Sequence, residues 1–259
     1  MKSARTPAGW EKLLWPILVA TLLLLIWHLA VLWSHTKIFP SPHDVQRAMA
    51  ELIRKNLLWR YMGDSLRRVL FGFGAAVLVG IPVGLMLGLY PAAYRTVNPI
   101  LQVLRPISPI AWIPVAIILF GIGDHAATFL IFLGSFFPIV VTCVNGVANV
   151  SSVYRRAGRN FGLDDRRLLT KVIFPAALPQ ILVGLRIAFG IAWLVVVAAE
   201  MIAVDSGLGY LVIDARNSGK RYDLVLAAII LIGVIGLLLD SIFRRLERIK
   251  SVRWGFRHF

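Results

Sequence analysis

The sequence predicts an all-α integral membrane protein with about six transmembrane helices. Three observations carry that expectation. Hydrophobic residues make up 58% of the 259 positions and charged residues only 16%, well outside the usual range of soluble domains. Mean hydropathy is +0.77. The apolar residues gather into runs of roughly twenty, the length a helix needs to cross the hydrocarbon core, and most of the charges fall between those runs.

Residues 1–12 form a short polar start with Lys2, Arg5 and Lys12. The first apolar run, 13–33, is long enough to span and too long for a typical signal core, so it is expected to stay as a transmembrane helix. Trp15, Trp27 and Trp33 are its candidate interfacial anchors. Residues 34–64 form a segment outside the bilayer in which 40–61 reads as an amphipathic helix. Ser41 is its cap, Pro42 its first position, and Val45, Met49, Leu52, Ile53 and Leu57 recur along one face. The core, 65–243, holds five further spans. The first of these, 66–90, carries Gly80, Gly84 and Gly88 four apart, a small-residue stripe for close helix packing. A short loop is expected over 91–98.

The next span, 100–121, contains Pro106, Pro109 and Pro114 and cannot be one unbroken helix. Irregular backbone at membrane depth is tolerated where protein buries it or where it lines a wet cavity, which makes 105–114 a candidate pathway lining. A tight turn over 121–125 leads to a span at 126–147. A strongly polar interval, 149–176, separates it from a span at 178–204. A polar loop with Ser-Gly-Leu-Gly at 206–209 follows, then a last span at 223–243 and a basic tail at 244–259.

The formal net charge of +15 would suit nucleic acid, but the basic residues flank the apolar runs, which topology and anionic membrane lipid explain. Counted by side, seventeen Lys and Arg fall on the face holding both termini and the 149–176 loop, against eight on the other. The termini and that loop are therefore expected in the cytoplasm. The one cysteine, Cys143, excludes an intrachain disulfide and reads as a small buried hydrophobe. No catalytic set is visible: His28, His35, His43, His125 and His258 lack metal-ligand spacing, and no phosphate-binding loop is present.

The 149–176 loop has internal order. Between Tyr154 and Lys171 it carries six basic residues against Asp164 and Asp165. Ser151 or Ser152 caps a short helix, Gly162 supplies a turn at positive φ, and 163–173 reads as a second helix that Phe174-Pro175 ends. This pattern resembles the cytoplasmic loop of ABC importer permeases. There, Glu-Ala-Ala, three residues, Gly, and nine residues later Ile-x-Leu-Pro form a coupling helix. Here the aligned residues are Arg156-Ala157-Gly158, Gly162 and Val172-Ile173-Phe174-Pro175. Ala157, Gly162 and Pro175 match; Arg156, Gly158, Val172 and Phe174 depart. Residues 175–212 and 105–124 resemble the branch of these permeases that imports nitrate, bicarbonate, taurine and other sulfonates, and the likeness runs from about 39 to 239.

The resemblance implies a type I ABC importer permease-like fold in a bacterial inner membrane. It implies a homodimer working with two ATP-binding ABC subunits and an extracytoplasmic solute-binding protein. ATP and magnesium would then sit on the ATPase and no cofactor on this chain. Arg155, Arg156, Ala157, Gly158, Arg159, Gly162, Leu163 and Asp164 become the ATPase-coupling residues. The other reading is a self-contained secondary carrier or channel; such carriers often show internal repeats, and none is found between the halves.

Arg105, Ser108, Trp112, Arg186, Trp193 and Glu200 are the candidate pathway or gate residues. Arg186 and Glu200, fourteen positions apart, lie about 21 Å apart along a helix and are not paired. Arg186 is expected to snorkel. A carboxylate repels an anionic substrate, so Glu200 is expected to serve as a structural tie at the outer gate. Asp240 is expected to join the tail basics in a solvated cluster.

Overall fold

Four stretches of the chain are apolar over more than eighteen residues, and each closes into a helix because no backbone polar group can be left unpaired in lipid. The computed structural model describes residues 11–34 and 39–247, and all regular structure among them is helical. The chain runs α1 (Glu11–Ser34), α2 (Pro42–Arg54), α3 (Leu57–Leu89), α4 (Pro91–Leu104), a 3-10 turn (Pro109–Trp112) and α5 (Ile113–Phe120). It continues through α6 (Asp124–Ala148), α7 (Ser152–Asn160), α8 (Asp165–Leu168), a π-helical turn (Leu169–Ile173), α9 (Phe174–Ile202), α10 (Leu208–Gly219) and α11 (Tyr222–Glu247).

Spans long and apolar enough to cross a membrane are α3, α6, the continuous Asp165–Ile202 and α11. A fifth is the pair formed by α4 and the Pro109–Phe120 segment, bent by 84°. The apolar part of α1, Ile17–Trp33, is shorter and exposed nearly all round, so among the described residues four to five helices have the length and apolarity of a span, against the six expected. The all-α membrane fold and the break in the second core run follow the sequence. The basic starts at 1–10, Lys37 and the tail beyond 247 lie outside the described residues.

The spine is α3 on α6. Gly72, Gly80, Gly84 and Gly88 meet Ile131, Ile139, Cys143 and Val147 in order, so the two helices run parallel. A Cβ at Gly84 would lie 2.5 Å from that of Cys143. The stripe is longer than the three glycines suggest: Gly72 and the buried Ala76 extend it by two turns. In lipid no apolar gain separates one greasy face from another, and small residues win by letting backbones touch. On the other side of α6, α9 runs antiparallel, with Gly184 against Thr142 and Gly146 against Ala177.

Four local expectations are corrected. The amphipathic helix ends at Arg54 rather than 61, because Asn56 adopts the left-handed region (φ 59°), which asparagine's short polar side chain tolerates; α3 then starts at Leu57, nine residues early. Residues 91–98 are no loop but the first turns of α4, with Pro91 at its start. Residues 208–219, expected as loop, are α10, which buries Leu208, Leu211 and Ala215. Phe174-Pro175 does not end a helix. The wider π-helical turn upstream relieves the clash of the proline ring with the preceding turn, and the span runs on.

Outside the spans, α2 is held on protein. Ser41 and Asp44 form a reciprocal cap, the Asp44 carboxylate accepting the Ser41 N–H at 3.0 Å. Val45, Ala48 and Leu52 pack against Leu211, Ala227 and Ala228. Glu51 accepts from Arg221 at 2.8 Å and from Lys55 at 2.6 Å. Those bonds, Arg221 foremost, pull the Glu51 carboxyl from its ordinary 4.5 to about 2. A depressed carboxylate stabilises above its unfolded value and loses that contribution as pH falls. Docking of α2 is therefore expected to loosen between pH 4.5 and 2, read as faster amide exchange in 42–54. Glu51→Gln should weaken docking at neutral pH and remove the Glu51 share of this pH dependence, leaving that of Asp44, whose carboxyl Ser41 also holds low, and of Asp223, which Arg221 also binds.

Candidate functional site

Two features occupy opposite ends of the α6–α9 pair. At the end where α6 begins and α9 finishes, an apolar span carries Arg68, and the side chain is only 2% exposed. A guanidinium at that depth has to be fully paired. Its Nη1 donates to Glu200 Oε1 at 2.7 Å and to the Ser206 carbonyl at 2.8 Å. Its Nη2 donates to Ser206 Oγ at 2.5 Å, and its Nε to Asp124 Oδ1 at 2.7 Å. Arg67 also pairs with Asp124.

Glu200, fully buried, accepts on its other oxygen from Ser65 Oγ and from the Gly209 N–H, both at 2.9 Å. Ser65 Oγ in turn accepts from the Leu208 N–H. One network thus ties α3, α6, α9 and the start of α10. The Ser-Gly-Leu-Gly run is its lid. Gly207 sits at φ +107°, and any Cβ there would strike the Glu200 carboxylate; a Cβ at Gly209 would strike the Val197 carbonyl. The Gly123 N–H donating to the Ala203 carbonyl at 2.8 Å closes the same end.

At the other end, α6 leads into α7, whose first turn is capped by Ser151 Oγ accepting from the Val153 N–H. Gly162 turns the chain at φ +77°, its N–H bonded to the Arg159 carbonyl at 2.9 Å. α8 and the π turn then pass without a break into α9. Gly158 is buried against Leu168, Leu163 and Val172, which locks the hairpin's two arms together. Ala157 and Leu163 are half-buried. Arg155 tucks under the α6 terminus and donates to the Val147 carbonyl. Arg156, Arg159 and Asp164 are exposed, with Arg159 3.6 Å from Asp165 and Asp164 3.5 Å from Arg167. Phe161 at the tip is 87% exposed. The hairpin is thus held by its own packing and continues on both sides into long helices.

The six pathway or gate candidates do not form one cluster. Arg105 and Ser108 are exposed on the broken segment, and Trp112, the last residue of the 3-10 turn, packs inward. Pro109 of that turn sits over Gly134 of α6. Trp193 is buried and donates to the Ile232 carbonyl at 3.1 Å, joining α9 to α11. Instead of snorkelling, Arg186 clasps Asp240 of α11 with two bonds, at 2.6 and 3.1 Å. Asp240, expected in a solvated cluster, is shared between Arg186 and Arg244. Glu200 alone belongs to the network above. Ser65, Arg68, Asp124 and Ser206 were not singled out by sequence; a guanidinium inside an apolar run was the signal for Arg68.

A bundle of membrane-crossing helices, tied shut by a buried ionic network at one end and carrying a rigid basic hairpin at the other, defines a multi-pass membrane transport subunit. Residues 80–251 match the family model described as "Binding-protein-dependent transport system inner membrane component", and the chain belongs to that family. It is 38% identical over 236 residues to the taurine transport system permease protein TauC of Escherichia coli (strain K12), covering 89% of this chain and 86% of that one. It is 35% identical over 245 residues to the nitrate import permease protein NrtB of Synechocystis sp., covering 91% and 88%. It is 38% identical over 195 residues to the bicarbonate transport system permease protein CmpB of Synechococcus elongatus, covering 75% and 69%. In fold it is similar to an inward-facing structure of the MetNI methionine ABC transporter, with a TM-score of 0.66 at 23% identity over 75% of this chain and 96% of that one. The chain is an ABC importer permease.

Proposed function

We propose that this chain forms the translocation pathway for a small anion, of the class that includes nitrate, bicarbonate, taurine and other sulfonates, and that a separate ATPase drives it. The observation that carries the coupling reading is the hairpin. Gly158 locks its arms, Gly162 turns it, and both arms continue into long spans, so a pull on 152–164 moves α6 and α9 as rigid bodies. Arg155, Arg156, Ala157, Gly158, Arg159, Gly162, Leu163 and Asp164 are the docking face. ATP and magnesium bind the partner, the termini lie in the cytoplasm, and two copies of this chain assemble with two ATPase subunits and an extracytoplasmic binding protein.

The relatives named for taurine, nitrate and bicarbonate support the anion class. With Arg186 committed to Asp240 and Glu200 to Arg68, the exposed break at Arg105 and Ser108 is the candidate pathway lining. Glu200 and Asp240 are each neutralised by an arginine, so neither presents a bare repulsive charge to an anion. Co-expression with the cognate ATPase and binding protein, followed by uptake into vesicles, tests the reading. Uptake of labelled anion should require internal ATP and the binding protein. Uptake by the chain alone under an ion gradient would show a self-contained carrier instead.

A further inference from the structure

Behind the hairpin lies a cavity of about 650 Å3, walled by the guanidinium-bearing side chains of Arg155, Arg156, Arg159 and Arg166. Asp165, 3.6 Å from Arg159, is the one carboxylate on the wall. Leu89, Leu168 and Ile173 make the apolar floor, and Tyr90 stands at the rim. The deepest of the four arginines is Arg155. Its Nη2 is bonded to the Val147 carbonyl, yet its Nε is buried with no hydrogen-bond partner. A buried charged donor left unpaired is costly, and a cavity with four guanidinium groups against one carboxylate calls for an anion.

The depth of the cavity says which anion. Leu89 ends the uncharged run 69–89 of α3, and Tyr90 follows it at 60% exposure, so the cavity opens at the level where hydrocarbon gives way to headgroups. The floor accepts a glycerol backbone or the start of an acyl chain, and the arginine wall accepts a phosphate in bidentate fashion. Basic pockets at this depth are suited to acidic headgroups. We propose that this cavity binds the phosphate headgroup of an anionic phospholipid, placing a membrane lipid directly against the hairpin and the start of the α8–α9 arm.

The full chain, purified in detergent without an ATPase, would be mixed with phosphatidylglycerol or phosphatidylcholine and its retained lipids counted by native mass spectrometry. Preferential retention of phosphatidylglycerol is expected. Arg155→Gln combined with Arg166→Gln should weaken it about tenfold, and Arg95→Gln, an exposed charge on α4, should leave it unchanged. If the double variant does not fold, Arg166→Gln alone, at an exposed position, should still lower retention severalfold. Equal retention of the two lipids, or an equal loss in Arg95→Gln, overturns the site. So does full displacement by millimolar inorganic phosphate that binds with the same variant sensitivity, which would mark a soluble ligand. The site is that of the free chain, since the docking face proposed above takes Arg155, Arg156 and Arg159 when the ATPase assembles. Lipid retention and ATPase co-purification are separate readouts, so failure here leaves the coupling reading standing.

Discussion

Arg68→Ala is expected to cost about 3–5 kcal/mol, the typical penalty for breaking a buried charge pair from one side. The residue donates to Asp124, Glu200 and Ser206 at once. Without it, Glu200 remains fully buried and holds only the Ser65 hydroxyl and the Gly209 N–H. Desolvation then acts on a carboxylate with no countercharge. The bundle should melt well below wild type in detergent, with 206–209 and the start of α10 losing protection first. Glu200→Ala should cost less, since Arg68 keeps Asp124 and Ser206 while the Gly209 N–H and the Ser65 hydroxyl lose their acceptor. Removing both charges together, as Arg68→Met with Glu200→Leu, should recover much of the loss, because a packed apolar pair needs no solvation. A wild-type melting profile for Arg68→Ala would show that the network does not hold this end closed.

Gly162→Pro is expected to abolish ATPase co-purification and reduce ATP-driven uptake to background, with membrane insertion intact. Proline fixes φ near −65° and has no N–H. Gly162 sits at φ +77° and donates to the Arg159 carbonyl. The substitution therefore forbids the turn and deletes the bond that closes α7. The damage stays local, because nothing lies within 4 Å of a Cβ at this position. Gly162→Ala is the graded companion: it fits the open space but strains the backbone, and should give partial coupling. Unchanged co-purification of the proline variant would remove the hairpin as the docking element.

Much of this was readable from short-range pattern. Apolar run length predicts the spans, and the proline triplet predicts the break between α4 and α5. Gly80, Gly84 and Gly88 announce a close helix contact, and Gly162 announces a left-handed turn. Each of these is a property of a residue and its near neighbours, which is the range over which helix periodicity and backbone sterics act. Boundaries were less legible. Asn56 ending α2, the π turn that lets the chain run past Pro175, and the folding of 208–219 into α10 all depend on what those segments pack against.

By itself, then, the order of residues determined that this chain is a helical membrane bundle with a charged hairpin on one side. Which charges meet was decided only in three dimensions. Arg68 and Glu200 are 132 positions apart and Arg186 and Asp240 54 apart, and no local pattern ties either pair. Their partners follow from which faces of α3, α6, α9 and α11 come together, and small-residue packing sets those faces. The physical reason is range: chain-local forces choose the helix, whereas a buried charge takes whatever opposite charge the packing of distant helices brings within about 3 Å.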